Sequence, residues 1–325
     1  MPLGRRLRKV VPFIPALVPV AIVVTMVVSL LVMAGMSLTI SLAPPRFEFK
    51  GPYDFGWGFW GSIWNPLPAR GAPSWGIMVF LVGSLLTAVP AIVLAMAIGL
   101  GIAIASTSYL PRIVSRFLDP FVDLLAGIPS VIYGIWAFIL IGPIFGGTIN
   151  PWSAHHLSFL PGFAGNPGPA QGDGLPLAIF ILTLMALPIT TLLIRDALRS
   201  VPRDLWESGL ALGATRWEVV RKVALPYGIR GILSAGFLGF GRAFGETVAV
   251  AMILGVNAAY PVNIYSGTST IAATMFELLD SAYGNSQFLA VLAELALVLL
   301  AITLTVNIVG RRFVSTFTGY EIAGM

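Results

Sequence analysis

The stretch IMVFLVGSLLTAVPAIVLAMAIGLGIAIAS, residues 77–106, holds no charged side chain, and the uncharged run around it extends from Gly71 to Pro111. An α-helix rises about 1.5 Å per residue, so this segment covers the ~30 Å hydrocarbon thickness of a bilayer. It has no polar face to offer water, which argues for lipid or protein on every side. Val10–Pro45, Leu124–Gly172 and Gly174–Ile194 are free of Asp, Glu, Lys and Arg in the same way. Two further apolar stretches, Gly231–Gly255 and Phe288–Gly310, hold a few ionisable residues. The pattern predicts an all-α, polytopic membrane protein with six helices, at roughly 14–42, 77–106, 120–145, 176–195, 231–256 and 287–310. Composition agrees: of 325 residues, 57% are hydrophobic and 10% charged, against about 25% charged in a soluble domain. Mean hydropathy is +0.90. An ordinary cytosolic enzyme, a nucleic-acid-binding domain and a disordered tail are excluded. With no cysteine, so are disulfides and thiolate metal sites.

Charge sets the expected orientation. Arg5, Arg6, Arg8 and Lys9 precede the first span, whose apolar run is about twice as long as a signal-peptide core, so an uncleaved anchor is expected. If the amino terminus is cytoplasmic, fifteen of the 19 basic residues fall on inside segments, including seven between Arg195 and Arg230. Outside lie Arg46, Lys50 and Arg70, and Arg242 lies within a span. That asymmetry predicts both termini inside. Two external segments stand out. Pro44–Trp75 is crowded with aromatic residues, which suits either a segment lying along the headgroups or a docking surface for an external partner. Gly146–Leu175 reads as a Gly/Pro-rich loop; its adjacent His155 and His156 lack the spacing and carboxylates of a zinc site.

The segment between spans four and five, Asp196–Arg230, is short yet patterned. Pro202 suits a helix first turn, Arg203–Leu212 a helix interior, and Gly213 a left-handed stop. Thr215-Arg-Trp-Glu218 is a capping box, opening a second helix with Val219, Val220, Val223 and Ala224 on its apolar side and Pro226 at its end. A DNA-reading helix-turn-helix would lack its supporting helix here. An interfacial linker and a rigid knob for a soluble partner both remain open.

Three stretches carry a family resemblance. Glu207-Ser-Gly-Leu-Ala211-Leu-Gly213, followed by Val223-Ala-Leu-Pro226, resembles the EAA loop of binding-protein-dependent ABC importer permeases. Leu124-Leu-Ala-Gly-Ile-Pro-Ser-Val-Ile-Tyr-Gly-Ile-Trp136 looks like the third-helix signature of phosphate-transporter permeases. Gly239-Phe-Gly-Arg-Ala-Phe-Gly-Glu-Thr-Val-Ala-Val250 resembles their fifth-helix signature, in the variant of PstC-type subunits. The likeness covers about residues 77–312. It implies a type I ABC importer permease fold with a cytoplasmic coupling helix, in which Glu207, Ala211, Gly213, Thr215, Glu218 and Pro226 belong to the ATPase-coupling loop. The implied domains are 1–76 (stub, first span and aromatic external segment), 77–312 (permease core) and 313–325 (tail). The implied partners are a second, PstA-like permease, two PstB-like ATPase subunits and an extracytoplasmic PstS-like phosphate-binding protein.

The residues are consistent with a chain that hydrolyses nothing itself. Lys9, Lys50 and Lys222 each follow a residue other than glycine, so a phosphate-binding P-loop is absent. The chain is expected to bind no cofactor, with ATP and Mg used by the partner ATPase. Within span five, Arg242 and Glu246 are four residues apart and are expected to share one helix face. They read either as a mutually neutralising pair or as a pathway in which Arg242 offers its guanidinium to an oxyanion and Glu246 tempers the binding; the resemblance implies the second. Thr247 is a further pathway hydroxyl or a back-bonded helix residue. Pro129 is expected to kink span three, with Ser130 and Tyr133 as pore-lining or packing hydroxyls. Asp119 and Asp123 are expected to open that span, balanced by Arg112 and Arg116. Glu294 is an intramembrane carboxylate that suits a place in the pathway, a protonated group or a pair across an interface. A sulfate or molybdate permease, a membrane-embedded enzyme using Glu246 or Glu294, and a simple channel are the competing functions.

Overall fold

The computed structural model describes residues 22–32, 34, 60–66, 74–255 and 257–316. In chain order these form α1 (Ile22–Val32), a two-stranded ladder of β1 (Trp64–Asn65) and β2 (Ser74–Trp75), α2 (Met78–Tyr109), α3 (Arg112–Gly127), α4 (Ser130–His156), α5 (Leu175–Arg199), α6 (Arg203–Ala211), α7 (Arg216–Phe244), α8 (Val248–Leu254), α9 (Ile271–Ala282) and α10 (Ser286–Thr316). Five of them, α2, α4, α5, α7 and α10, are long and apolar enough to cross a membrane. The first predicted span is represented by α1 alone; the rest of 14–42 lies outside the described residues.

The bundle is centred on α5. Of its most apolar window 61% is buried, against 28–33% in the other four spanning helices, and α2 and α7 pack along it. The outer helices turn Val93, Ile139 and Leu304 outward, which water would penalise and lipid accepts. Lipid tails are as apolar as these side chains, so helix association rests on close packing and polar bonds. Thr183 and Thr190 of α5 supply both: their hydroxyls donate within the helix to the Ile179 and Ala186 carbonyls at 2.7 and 3.0 Å, and across to the Ala91 and Ala95 carbonyls of α2 at 3.3 and 3.5 Å. At Gly239 of α7 a side chain would collide with Ile92 and lie 2.7 Å from Thr190 Cγ2, so the glycine lets three helices meet. The short ladder pairs Trp64 with Trp75 in antiparallel register. Both indoles pack on Phe288 of α10, and Trp64 on Phe80 of α2 as well. This part of the aromatic segment is therefore core.

Several expected boundaries move, and proline is the common cause. The third span begins at Ser130, since Asp119 and Asp123 belong to the separate helix α3. Ile128 is extended because the following proline ring disfavours a helical conformation there, and Pro129 heads α4 where a kink was expected. Helix α4 then runs on to His156 through residues expected to be a loop. Two π-type turns make this possible: Ala137–Ile141 before Pro143, and Phe145–Ile149 before Pro151. A third, Val220–Ala224, precedes Pro226. In each, the residue before the proline donates five residues back: Gly142 to Ala137, Asn150 to Phe145 and Leu225 to Val220. The extra residue in the turn shifts the carbonyl that the ring would strike, so the chain passes through. Pro226 accordingly lies inside α7 and does not end the coupling segment's second helix. Span five also stops earlier than 256: α7 closes at Phe244, and Gly245-Glu246-Thr247 separates it from α8.

Candidate functional site

The break after α7 places the charges of span five. Arg242 sits in the last turn of α7, exposed on the chain. It borders a cavity of about 270 Å³ whose other walls are Ala126 of α3 and Met185, Pro188, Ile189 and Leu192 of α5. An arginine turned to hydrocarbon within a membrane segment is costly, and such side chains face a bundle interior or a water-filled cavity. Glu246 does not share the face of Arg242, because the helix has ended before it. The half-buried carboxylate instead accepts the Ala249 N–H of α8 at 3.4 Å, next to the positive end of that helix. No ion pair joins Arg242 and Glu246 among the described residues, and the expected shared helix face is corrected by the end of α7 at Phe244. Arg242 is thus a cation beside a cavity with mostly apolar walls, the setting in which a guanidinium binds an oxyanion most strongly.

The other pathway candidates divide. Tyr133 is buried, with its hydroxyl turned back towards α3. That hydroxyl donates to the Leu125 carbonyl at 3.0 Å, tying the end of α3 to the start of α4 across the Pro129 break. Ser130 is half-buried one turn earlier. Thr247 donates to the Gly245 carbonyl at 3.2 Å and lines a different, apolar groove with Ala272, Met275 and Leu292. Glu294 is a half-buried residue of α10. His155 and His156 close a helix, and His156 stacks on Trp152 at 5.0 Å. Among the described residues no three His, Cys, Asp or Glu side chains gather as a metal site would need.

The segment at the other end of α5 matches its local sequence signals closely. Pro202 precedes α6, and Gly213 takes φ +84° with open space around it. Gly213 N–H donates to Leu210 at 3.0 Å and Ala214 N–H to Gly209 at 3.2 Å, the paired bonds of a Schellman stop. The capping box is complete: Glu218 N–H donates to Thr215 Oγ1 at 3.3 Å, and Thr215 N–H to Glu218 Oε2 at 2.8 Å. None of α6 is buried, Glu207 and Ala211 included. Leu205, Leu210, Leu212 and Trp217 expose apolar surface on this otherwise polar knob, with Leu212 89% exposed. Such a patch suits a protein or membrane contact. The knob is held from behind, where Trp206 packs on the Leu198 and Val201 cluster, and a Cβ at Gly209 would lie 3.0 Å from Val219 Cγ2.

Asp119 has two partners that the sequence analysis did not name. Asp119 is bound by Arg195 Nη1 at 2.7 Å and Arg199 Nη2 at 2.9 Å, both from the last turns of α5. The side chains of Arg112, Arg116 and Asp123 lie outside the described residues. The one signal for the pairing along the chain is the i, i+4 spacing of Arg195 and Arg199, which aims two cations at one neighbour.

The bundle, the exposed arginine in a span and the exposed knob fit a membrane permease. Residues 95–318 match the family model of the binding-protein-dependent transport system inner membrane component, and the chain belongs to that family. Within it, the chain is similar to the phosphate transport system permease protein PstC 1 of Mycobacterium tuberculosis, 40% identical over 246 residues, covering 74% of this chain and 72% of the relative. The phosphate transport system permease protein PstC of Mesorhizobium japonicum is 36% identical over 259 residues, covering 79% and 78%. The fold is also that of a chain in the crystal structure of a bacterial alginate ABC transporter, solved with an alginate pentasaccharide-bound periplasmic protein (TM-score 0.59, 16% identity, 96% of this chain and 98% of that one). A chain of the inward-facing MetNI methionine ABC transporter aligns with TM-score 0.52 at 20% identity, covering 74% and 97%.

Proposed function

We propose that this chain is a permease subunit of an ATP-driven phosphate importer, forming half of the translocation pathway beside a second, PstA-like permease. Arg242 is the observation that carries this reading: a guanidinium exposed on a membrane-spanning helix, above a cavity, without the Glu246 pairing that would have silenced it. Phosphate, as against sulfate or molybdate, is supported by the likeness to the PstC relatives. Both termini are inside, following the basic residues, so α6 faces the cytoplasm. There it meets one of two PstB-like ATPase subunits, which use ATP and Mg, while a PstS-like protein delivers phosphate from outside. The exposed Leu205, Leu210 and Leu212 on a rigidly backed helix suit that contact.

The assembled complex in proteoliposomes tests the reading. Arg242→Gln should abolish phosphate uptake while the subunits still co-purify, and Arg242→Lys should retain only part of it, since an ammonium cannot present the planar fork. Full uptake by Arg242→Gln removes the anion role, and uptake without ATP makes the chain a channel. Activity by the purified chain alone would favour the embedded-enzyme reading.

A further inference from the structure

We propose that Asp119 is a positioning residue that carries movement of α6 into the wall of the Arg242 cavity; this rests on the reading above, in which α6 meets an ATPase. The Asp119 carboxylate gives one oxygen to each arginine, Oδ1 to Arg195 and Oδ2 to Arg199. The Arg195 side chain is 5% exposed and the Arg199 side chain 50%, so the clamp has a buried arm and an accessible one. Both arginines stand in the last turns of α5, shortly before α6 opens at Arg203. Arg203, Arg199 and Asp119 border one cavity of about 500 Å³, so the first residue of α6 and the clamp share a space into which they can shift. Two helical turns beyond Asp119, about 10 Å along the axis, Ala126 of the same helix forms part of the Arg242 cavity. The neighbouring Leu125 carbonyl is held by Tyr133 of α4. Helix α3 is therefore fixed to α5 at its middle and to α4 at its end. A push on α6 reaches α3 through a charge-assisted fork, and α3 ends at the anion's cavity. A carboxylate held through both oxygens by two guanidinium groups transmits direction as well as force, which an apolar contact would not.

The test measures phosphate uptake and ATP hydrolysis on the same proteoliposomes of the full complex, for wild type, Asp119→Asn, Asp119→Glu and Arg199→Gln. In Asp119→Asn the ATP spent per phosphate should rise about tenfold, the scale of a typical coupling free energy between two sites, while hydrolysis itself continues. Asp119→Glu should recover most of the coupling, and Arg199→Gln, which loses only the exposed arm, should show a smaller rise. An unchanged ratio in Asp119→Asn reduces the clamp to a structural staple. If that variant fails to assemble, an unchanged ratio in Arg199→Gln overturns the proposal in its place. If the wild type moves no phosphate, the transport reading has failed, and the clamp is judged by distance. The chain has no cysteine, so nitroxides at Asp204→Cys and Phe121→Cys report the α3–α6 separation with and without trapped nucleotide. A separation kept narrow by Asp119 and broadened by Asp119→Asn supports the lever; equal distributions in both refute it.

Discussion

Replacing Gly213 isolates the turn that aims the coupling helix. Its φ of +84° lies in the left-handed region, and a Cβ built there meets nothing within 4 Å. The cost of a side chain is therefore purely conformational. An L-residue in that region costs roughly 1–2 kcal/mol, partly offset by about 0.4–1 kcal/mol because alanine also restricts the unfolded chain. A net penalty near 1 kcal/mol multiplies the open population of the turn about fivefold. Asparagine tolerates the conformation better, and a β-branched side chain worse, so the order Gly, Asn, Ala, Val is expected. The released bonds would be Gly213 N–H to Leu210 and Ala214 N–H to Gly209, which hold the end of α6. Hydrogen exchange at these two amides should accelerate in that order, and phosphate-dependent ATPase in the assembled complex should fall with it. Membrane insertion should not change, because no spanning helix is touched. If Gly213→Val exchanges and couples like wild type, a left-handed turn is not what positions α6.

Three other outcomes follow from the packing. Thr215→Ala removes the cap of α7 and should loosen the first turn of that helix by about 1 kcal/mol, read as faster exchange at Glu218 with the other spanning helices unchanged. Gly239→Leu should destabilise by at least 1–3 kcal/mol through overpacking against Ile92 and Thr190, seen as a lower Tm in detergent, whereas Gly241, which has more room, should accept alanine. Asp173, in the connection before α5, has its carboxyl raised above the usual carboxylate range by burial beside Gly174 and Asn257. A raised carboxylate is best tolerated at acid pH and costs stability as the pH climbs through its folded value. Asp173→Asn should therefore raise Tm at pH 7, by an amount that shrinks towards pH 4; a gain that grows on acidification contradicts the assignment.

Signals that act over a few residues are legible in the sequence alone. An uncharged run of bilayer length has few places to go, so the spans near 77–106, 176–195 and 287–310 read directly. The Gly213 stop and the Thr215–Glu218 box are equally plain, since each is closed by bonds within five residues. What stays hidden depends on neighbours distant in sequence. Pro151 reads as part of a Gly/Pro-rich loop and Pro226 as a helix end, because nothing in a window of residues announces the π turns that carry the chain past them. Arg242 and Glu246 look like partners because their spacing fits a helix, but α7 stops between them and the two charges part. Asp119 looks like a match for the nearby Arg112 and Arg116, yet the packing of α3 on α5 brings in Arg195 and Arg199 from about 80 residues away. Periodicity and capping are local energies and are written along the chain, whereas the partner of a charge is decided by which helices meet.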